Sequence, residues 1–411
     1  MASHTIQELH QFQALPLSVK IAMTKERIRG WVNEYGEDGV YISFSGGKDS
    51  TVLLDIARQD YPDLKAMFVD VPTQFPELRE FVNNFSNVDI IKPSMGFAQV
   101  VDKYGFPLIS KEVSECVYGA RKYLTQLKSE MNAPTNERTN ERTNERTNER
   151  TNEYLMHNSI VRCADWESIK NHLAKKKLGS GGSIQRLAIM LGMLTKEQTI
   201  AVNIPNGSRS NYNQEKYKYF LEADFDISNQ CCNVMKKNPA HKYHKETGRN
   251  PITAQMASES RLRTQKWLKS GCNGFDLKIP TSNPMSFWTE QDVLLYIKMN
   301  NLPICSVYGE VVEDLEEIEG QMTIADCFEC SEMGLFELDR KLLKTTGCNR
   351  TGCVLCGFGC HLEKEGEERF LLLKESHPKM YGLLDVIKNN GVTYREAIEW
   401  VNEHGNTNIK L

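Results

Sequence analysis

The sequence predicts an α/β protein built on a doubly wound parallel sheet, with a helical insertion and a C-terminal cysteine-rich helical region. Three observations carry this expectation. Strand and helix patterns alternate from the N-terminus to about residue 110, a purely polar repeat interrupts them at 135–153, and cysteines crowd toward the C-terminal end. Residues 17–35 place apolar side chains at helical spacing. Val40-Tyr41-Ile42-Ser43-Phe44-Ser45 reads as a strand, Asp49 to Gln59 as a helix, and Leu64 to Val71 as a second strand. Pro76 to Asn83 reads as a helix and Val88 to Ile91 as a third strand. Strands separated by helices imply parallel neighbours.

The repeat, Thr-Asn-Glu-Arg in tandem, has no apolar residue. It cannot bury a helix face, so a solvated helix extension or a tether is expected. Helical patterning to about residue 200, with Gly179-Ser180-Gly181-Gly182 inside it, completes the insertion. Residues 289–299 read as a helix capped by Thr289, with Glu290 and Asp292 in its first turn. The arm 366–411 reads as helical without an evident site.

With 411 residues, 40% hydrophobic and 25% charged, the chain can bury a sizeable core. Its net charge of −4 provides no general basic field, so any nucleic-acid contact needs a local patch. No apolar run approaches the roughly 18 residues of a membrane span. The start MASHTIQELHQFQALPLSVK lacks the basic and apolar runs of a signal peptide, and a cytoplasmic location is expected.

Twelve cysteines, two of them adjacent (Cys231-Cys232) and four between 348 and 360, point to metal ligation or redox chemistry in such a chain. Cys116, Cys163, Cys272 and Cys305 stand singly and are expected as small buried hydrophobes. His361, beside Cys360 after a Gly-rich turn, is expected to be exposed. The strongest local signal is Ser43-Phe44-Ser45-Gly46-Gly47-Lys48-Asp49-Ser50, between a predicted strand and a predicted helix. Paired glycines let backbone N–H groups close on a phosphate, Ser45 and Ser50 add hydroxyls, Lys48 adds a charge, and the helix N-terminus adds its dipole. It is not a Walker A loop, whose glycines are spaced differently.

This loop matches the SGGxDS pyrophosphate loop of ATP pyrophosphatases. The chain as a whole resembles the phosphoadenosine phosphosulfate reductase family of adenine-nucleotide α-hydrolase-like proteins, over roughly 36–125, 215–310 and the cysteine cluster. Asp70 with Phe75-Pro76-Glu77 resembles the second-strand motif beside the adenosine. Tyr104-Gly105-Phe106-Pro107 with Ser110-Lys111 resembles the segment after the third strand. Asn283 to Val293, with Tyr296-Ile297 and Leu302-Pro303, resembles the family's Pro…Trp-Thr…Asp-Val stretch, and Trp288 there is expected to pack rather than bind.

Cluster-bearing reductases of this family hold a [4Fe–4S] cluster with a Cys-Cys pair and a later CxxC, which implies Cys231, Cys232, Cys353 and Cys356. Two other sets stay open: Cys348, Cys353, Cys356 and Cys360 for the cluster, or Cys327, Cys330 and two later cysteines for structural zinc. Nothing after Cys360 is a cysteine, so the Glu-Cys-Gly nucleophile of those reductases is absent. Met256 and Ala257 stand where their phosphosulfate-binding segment is basic, while Glu259-Ser260 and Arg263 match.

The resemblance therefore implies a nucleotide-binding core at 1–125 and 200–310, an insertion at 126–199 and a metal-binding region at 311–411. It implies an ATP pyrophosphatase-type enzyme that adenylates an acceptor for sulfur transfer. Ser43, Ser45, Gly46, Gly47, Lys48, Asp49, Ser50 and Asp70 would bind ATP and Mg²⁺, and Lys48, Asp49, Lys111 and Arg263 would act on the transferring phosphate. Expected partners are an adenine nucleotide, an acceptor (nucleic acid, small molecule or carrier protein), and a cysteine desulfurase or thioredoxin-like donor. The alternatives are an assimilatory sulfonucleotide (APS/PAPS) reductase using Cys360 or Cys348, and a nucleotide or redox sensor without turnover.

Overall fold

The computed structural model describes residues 4–131, 166–176, 182–205, 207–314 and 342–411. The polar repeat, Cys163, Cys327 and Cys330 lie outside the described residues. The chain forms two compact units, residues 1–94 with 236–353 and residues 95–235 with 354–411. The strands, in chain order, are β1 (Val40–Ser43), β2 (Ala66–Val69), β3 (Val88–Ile91), β4 (Leu108–Ile109), β5 (Asn250–Ile252), β6 (Asn273–Gly274) and β7 (Thr281–Ser282). The helices up to residue 131 are α1 (Ile6–Gln13), α2 (Leu17–Tyr35), α3 (Lys48–Asp60), α4 (Pro76–Asn83), α5 (Phe97–Tyr104) and α6 (Lys111–Met131).

The first unit holds one six-stranded sheet in the order β3-β2-β1-β5-β7-β6. It is an α/β fold dominated by parallel pairs: Ile42 lies opposite Ala66, Val69 opposite Ile91, and Val40 opposite Asn250. Only the edge pair β6–β7 is antiparallel, in a sheet otherwise parallel as expected. Strand order reverses at β1, which pairs with β2 on one side and β5 on the other. In open α/β sheets the crevice at the C-terminal ends of strands beside such a reversal is where ligands sit.

Tyr41 is buried on one face and Val40, Ile42 and Phe44 on the other, as befits a strand covered on both faces. The latter three pack with Ile28 and Trp31 of α2, with Val52, Leu53 and Ile56 of α3, and with Phe287 and Trp288. Each such side chain contributes about 1.5–3 kcal/mol by leaving water. The predicted packing role of Trp288 matches its position: it is fully buried and its Nε1–H donates to Thr24 Oγ1 at 2.9 Å. Lys20 and Asp292 form an ion pair of 2.6 Å at 1% and 3% side-chain exposure. Lys20 also donates to the Gln13 carbonyl, and Asp292 accepts from the Thr289 backbone and hydroxyl, so neither charge is stranded.

The second unit is mainly helical. β4 pairs in parallel with Gly357–Phe358. Buried Arg121 on α6 donates to the Phe225 and Phe220 carbonyls and pairs with Asp226. Gly105 has φ +95°, and a Cβ there would fall 2.2 Å from the Asp226 carbonyl oxygen, so no other residue fits. Tyr394 stacks on Phe106 at 4.7 Å and its hydroxyl accepts from Gly357 N–H at 3.0 Å. The C-terminal arm is helical apart from a short hairpin pairing Lys388–Asn389 with Val392–Thr393. Among the described residues no helix is long and apolar enough to cross a membrane.

Candidate functional site

The strand β1 ends at Ser43 rather than Ser45, because the chain turns to start α3. Phe44 still donates to the Met67 carbonyl at 2.9 Å, which holds the turn against β2. Ser45 then closes the loop on α3: its N–H donates to Ser50 Oγ at 3.2 Å, and the two hydroxyls lie 3.0 Å apart. Gly46 has φ +73°, and a Cβ there would press on Leu78 and Val82 of α4 at 3.1 Å. Gly47 is the N-cap of α3 and caps it with no side chain. The N-terminus of α3 thus opens beside two hydroxyls, an arrangement suited to an anion.

Lys48 is 4% exposed, and its Nζ lies 3.0 Å from Glu290 and donates to the Asn349 carbonyl at 2.8 Å. Its backbone N–H donates to the Tyr308 hydroxyl at 3.2 Å, which in turn lies 2.7 Å from Thr351 Oγ1. Asp49 Oδ1 is buried with no hydrogen-bond partner. Burial raises the Asp49 pKa, and the Lys48 ammonium beside it opposes that shift. Burial likewise pushes the Tyr308 hydroxyl up. Arg263, on the helix Arg261–Ser270, faces Asp49 and Arg350 and is ion-paired with Glu259. Burial lowers its pKa and that of Lys266, one turn further along the helix.

Ser43, Ser45, Gly46, Gly47, Lys48, Asp49 and Ser50 are therefore contiguous at the sheet's reversal point, with Arg263 beside them. Asp70 lies at the end of β2 and is 7% exposed, its Oδ1 gripped by Arg79 Nη2 at 2.6 Å and Nε at 2.9 Å. Lys111 opens α6 in the second unit and is exposed. Met256 and Ala257, where the resemblance suggested bases, are core residues at 3% and 2% exposure. The cations that sequence reasoning missed are Arg79, Lys266 and Arg350. None sits in a motif; Lys266 is one helical turn from Arg263, and the fold brings Arg350 near it.

The cysteines divide differently. Cys116, Cys272 and Cys305 are buried, as expected of isolated thiols. Cys348 is packed against Leu78, Cys305 and Tyr308 in the first unit, and burial lifts its thiol to about 11. Cys353 ends that unit. In the second unit, Cys231, Cys356 and Cys360 all act on the buried Tyr394 hydroxyl and raise its pKa, after burial itself. Cys232 adjoins Cys231 on a short helical turn. Arg369 donates to the Cys356 and Phe358 carbonyls and pairs with Glu363 at 2.9 Å.

These thiols are the soft donors an iron–sulfur cluster takes. Their placement does not complete a site: among the described residues no three His, Cys, Asp or Glu side chains could hold one metal ion. His361 is half-buried rather than exposed, and its Nδ1 is buried without a partner. It tucks back because the turn Cys360–Leu362 follows Gly359 at φ +84°.

Fifteen chains of solved structures match this one. One is the phosphoadenylyl-sulfate reductase from Candida auris in a phosphate complex, 13% identical over 74% of this chain and 91% of that chain, with a TM-score of 0.31. No curated protein matches. The profile of the phosphoadenosine phosphosulfate reductase domain matches residues 39–108 and 188–357, more than half of the sequence and all of the phosphate loop. The chain belongs to the phosphoadenosine phosphosulfate reductase domain family.

Proposed function

We propose that the first unit binds ATP with Mg²⁺ and cleaves it between the α- and β-phosphates, adenylating an acceptor for sulfur transfer. The observation that carries this reading is the pairing of an intact Ser-Gly-Gly-Lys-Asp-Ser loop with the buried, unpartnered Asp49 Oδ1. An ionised carboxylate oxygen out of water and without a donor is costly, and a hard cation relieves that cost. Asp49 would hold the Mg²⁺, which when bound neutralises phosphate charge. The loop N–H groups with Ser45 and Ser50 would hold the β- and γ-phosphates.

In the reaction an acceptor oxygen attacks the α-phosphorus, the α–β bridging P–O bond breaks, and the electron pair leaves with pyrophosphate. Lys48 and Arg263 stabilise the charge that develops on the leaving group. The resemblance extends that role to Lys111 and assigns Asp70 to the adenosine side. The resemblance alone, and not the placement of the thiols, supports a [4Fe–4S] cluster on Cys231, Cys232, Cys353 and Cys356, which would supply sulfur chemistry when bound, with zinc as the structural alternative. The family also supports a second reading, reduction of a sulfonucleotide. Calorimetric titration decides between them. ATP with Mg²⁺ is expected to bind more tightly than adenosine phosphosulfate or its 3′-phosphorylated form, and the reverse order would overturn the ATP assignment.

A further inference from the structure

Residues 347–351 run from the short strand Leu343–Thr345 to the cysteine segment, and they lie against the phosphate loop. Gly347 N–H donates to the Tyr308 carbonyl at 2.8 Å and Cys348 N–H to the Val307 carbonyl at 2.9 Å. A Cβ on Gly347 would fall 2.3 Å from the Val307 oxygen, so the backbones approach as only glycine allows. Asn349 then offers its carbonyl to Lys48 Nζ at 2.8 Å, and Thr351 Oγ1 meets the Tyr308 hydroxyl, which itself bonds Lys48 N–H. A Cβ on Gly47 would lie 3.3 Å from Thr351 Oγ1. The residues on both sides of Arg350 are thus fastened to the loop.

Arg350 itself is exposed and its guanidinium has no ion-pair partner among the described residues. The charges that face it are Asp49, which is shared with Lys48, and Arg263, which repels it. Lys266, also without an ion-pair partner, adds a further positive charge next to Arg263. Lys48 and Arg263 already have Glu290 and Glu259. Arg350 is therefore a cation held by its backbone among like charges, beside a loop built for phosphate. Such an arrangement costs free energy until an anion enters.

We propose that Arg350 is a ligand of the polyphosphate, binding the β- and γ-phosphates beside the loop. The planar guanidinium can take two phosphate oxygens at once, which Lys48, as a point charge, cannot. This inference rests on the nucleotide reading of the loop and adds to it a binding residue outside the matched loop motif.

The test is titration of wild type, Arg350→Ala and Arg350→Lys with three probes: ATP with Mg²⁺, inorganic pyrophosphate with Mg²⁺, and adenosine. Arg350→Ala is expected to weaken ATP and pyrophosphate by about 10- to 100-fold, the worth of one hydrogen-bonded charge, and to leave adenosine unchanged. Arg350→Lys should recover part of the loss. Unchanged ATP affinity in Arg350→Ala would overturn the role of Arg350 and leave the nucleotide reading standing. Equal weakening of all three probes would also overturn it, because it would mark a structural residue. Wild-type protein that binds neither ATP nor pyrophosphate would instead overturn the reading of the loop.

Discussion

The phosphate loop and the cysteine region make opposite use of burial. In the loop each polar group is positioned by a specific partner: Ser45 by Ser50, Lys48 by Glu290 and Asn349, and Tyr308 by Thr351. Only Asp49 is left with an unanswered oxygen. Around Tyr394 the thiols share one buried environment that pushes the hydroxyl and Cys360 upward, so that at neutral pH both keep their protons. The loop is arranged before its ligand arrives. Cys360 waits protonated, and a metal that took it as a ligand would have to displace that proton.

The sharpest way to break this contrast is iron content. Anaerobically purified protein is expected to hold about four iron per chain, as one cubane requires. Cys232→Ser, Cys353→Ser and Cys356→Ser should each lose it. Iron retained in Cys353→Ser but lost in Cys360→Ser would move the ligand set to the thiols gathered at Tyr394, and iron-free wild type would end the cluster reading. Lys48→Ala comes next. It should weaken ATP by about 10- to 100-fold while leaving iron content unchanged, provided its melting curve shows a folded protein. A parallel loss of iron would show that the two regions are not independent.

The smallest expected effect is on pH dependence. Because burial raises Asp49, it takes up its proton at a pH above the ordinary carboxylate range. Binding of ATP with Mg²⁺ should therefore weaken as pH falls, starting above that range, by at most about tenfold per pH unit for one proton. Asp49→Asn should bind more weakly at neutral pH and lose this slope. A slope unchanged in Asp49→Asn would assign it to another group.

The early elements were legible because local chemistry and tertiary packing agree there. α2, α4 and β3 span the residues that periodicity indicated, and Thr289 caps its helix through a reciprocal bond with Asp292. The strands β5, β6 and β7 were not legible. They have two or three residues each, too few for any period, and Asn250-Pro251-Ile252 carries a proline besides. The loop could be read from one contiguous motif. Of its surrounding charges, Arg263 was named through the resemblance, but Glu290 and Arg350 were not, since they come from separate stretches that only the fold brings to the loop. Met256 and Ala257 show the converse, because a missing base looked informative until the positions turned out to lie in the core.

The sheet order also sets a timetable for biosynthesis. β2 and β3 can join β1 soon after it emerges, but the other edge of β1 pairs with β5, and Val40 lies opposite Asn250. At roughly 5–20 residues per second on the ribosome, that partner follows by about 10–40 s. Through that interval β1 presents an open hydrogen-bonding edge of buried-type residues, a template for pairing with the wrong chain. The Lys20–Asp292 pair closes later still, once the helix after Thr289 exists. The phosphate loop emerges early in synthesis, yet it gains its walls only when the last third of the polypeptide arrives. A nascent chain therefore cannot hold nucleotide as the finished protein would, and ribosome-bound or truncated copies are the form most in need of a chaperone.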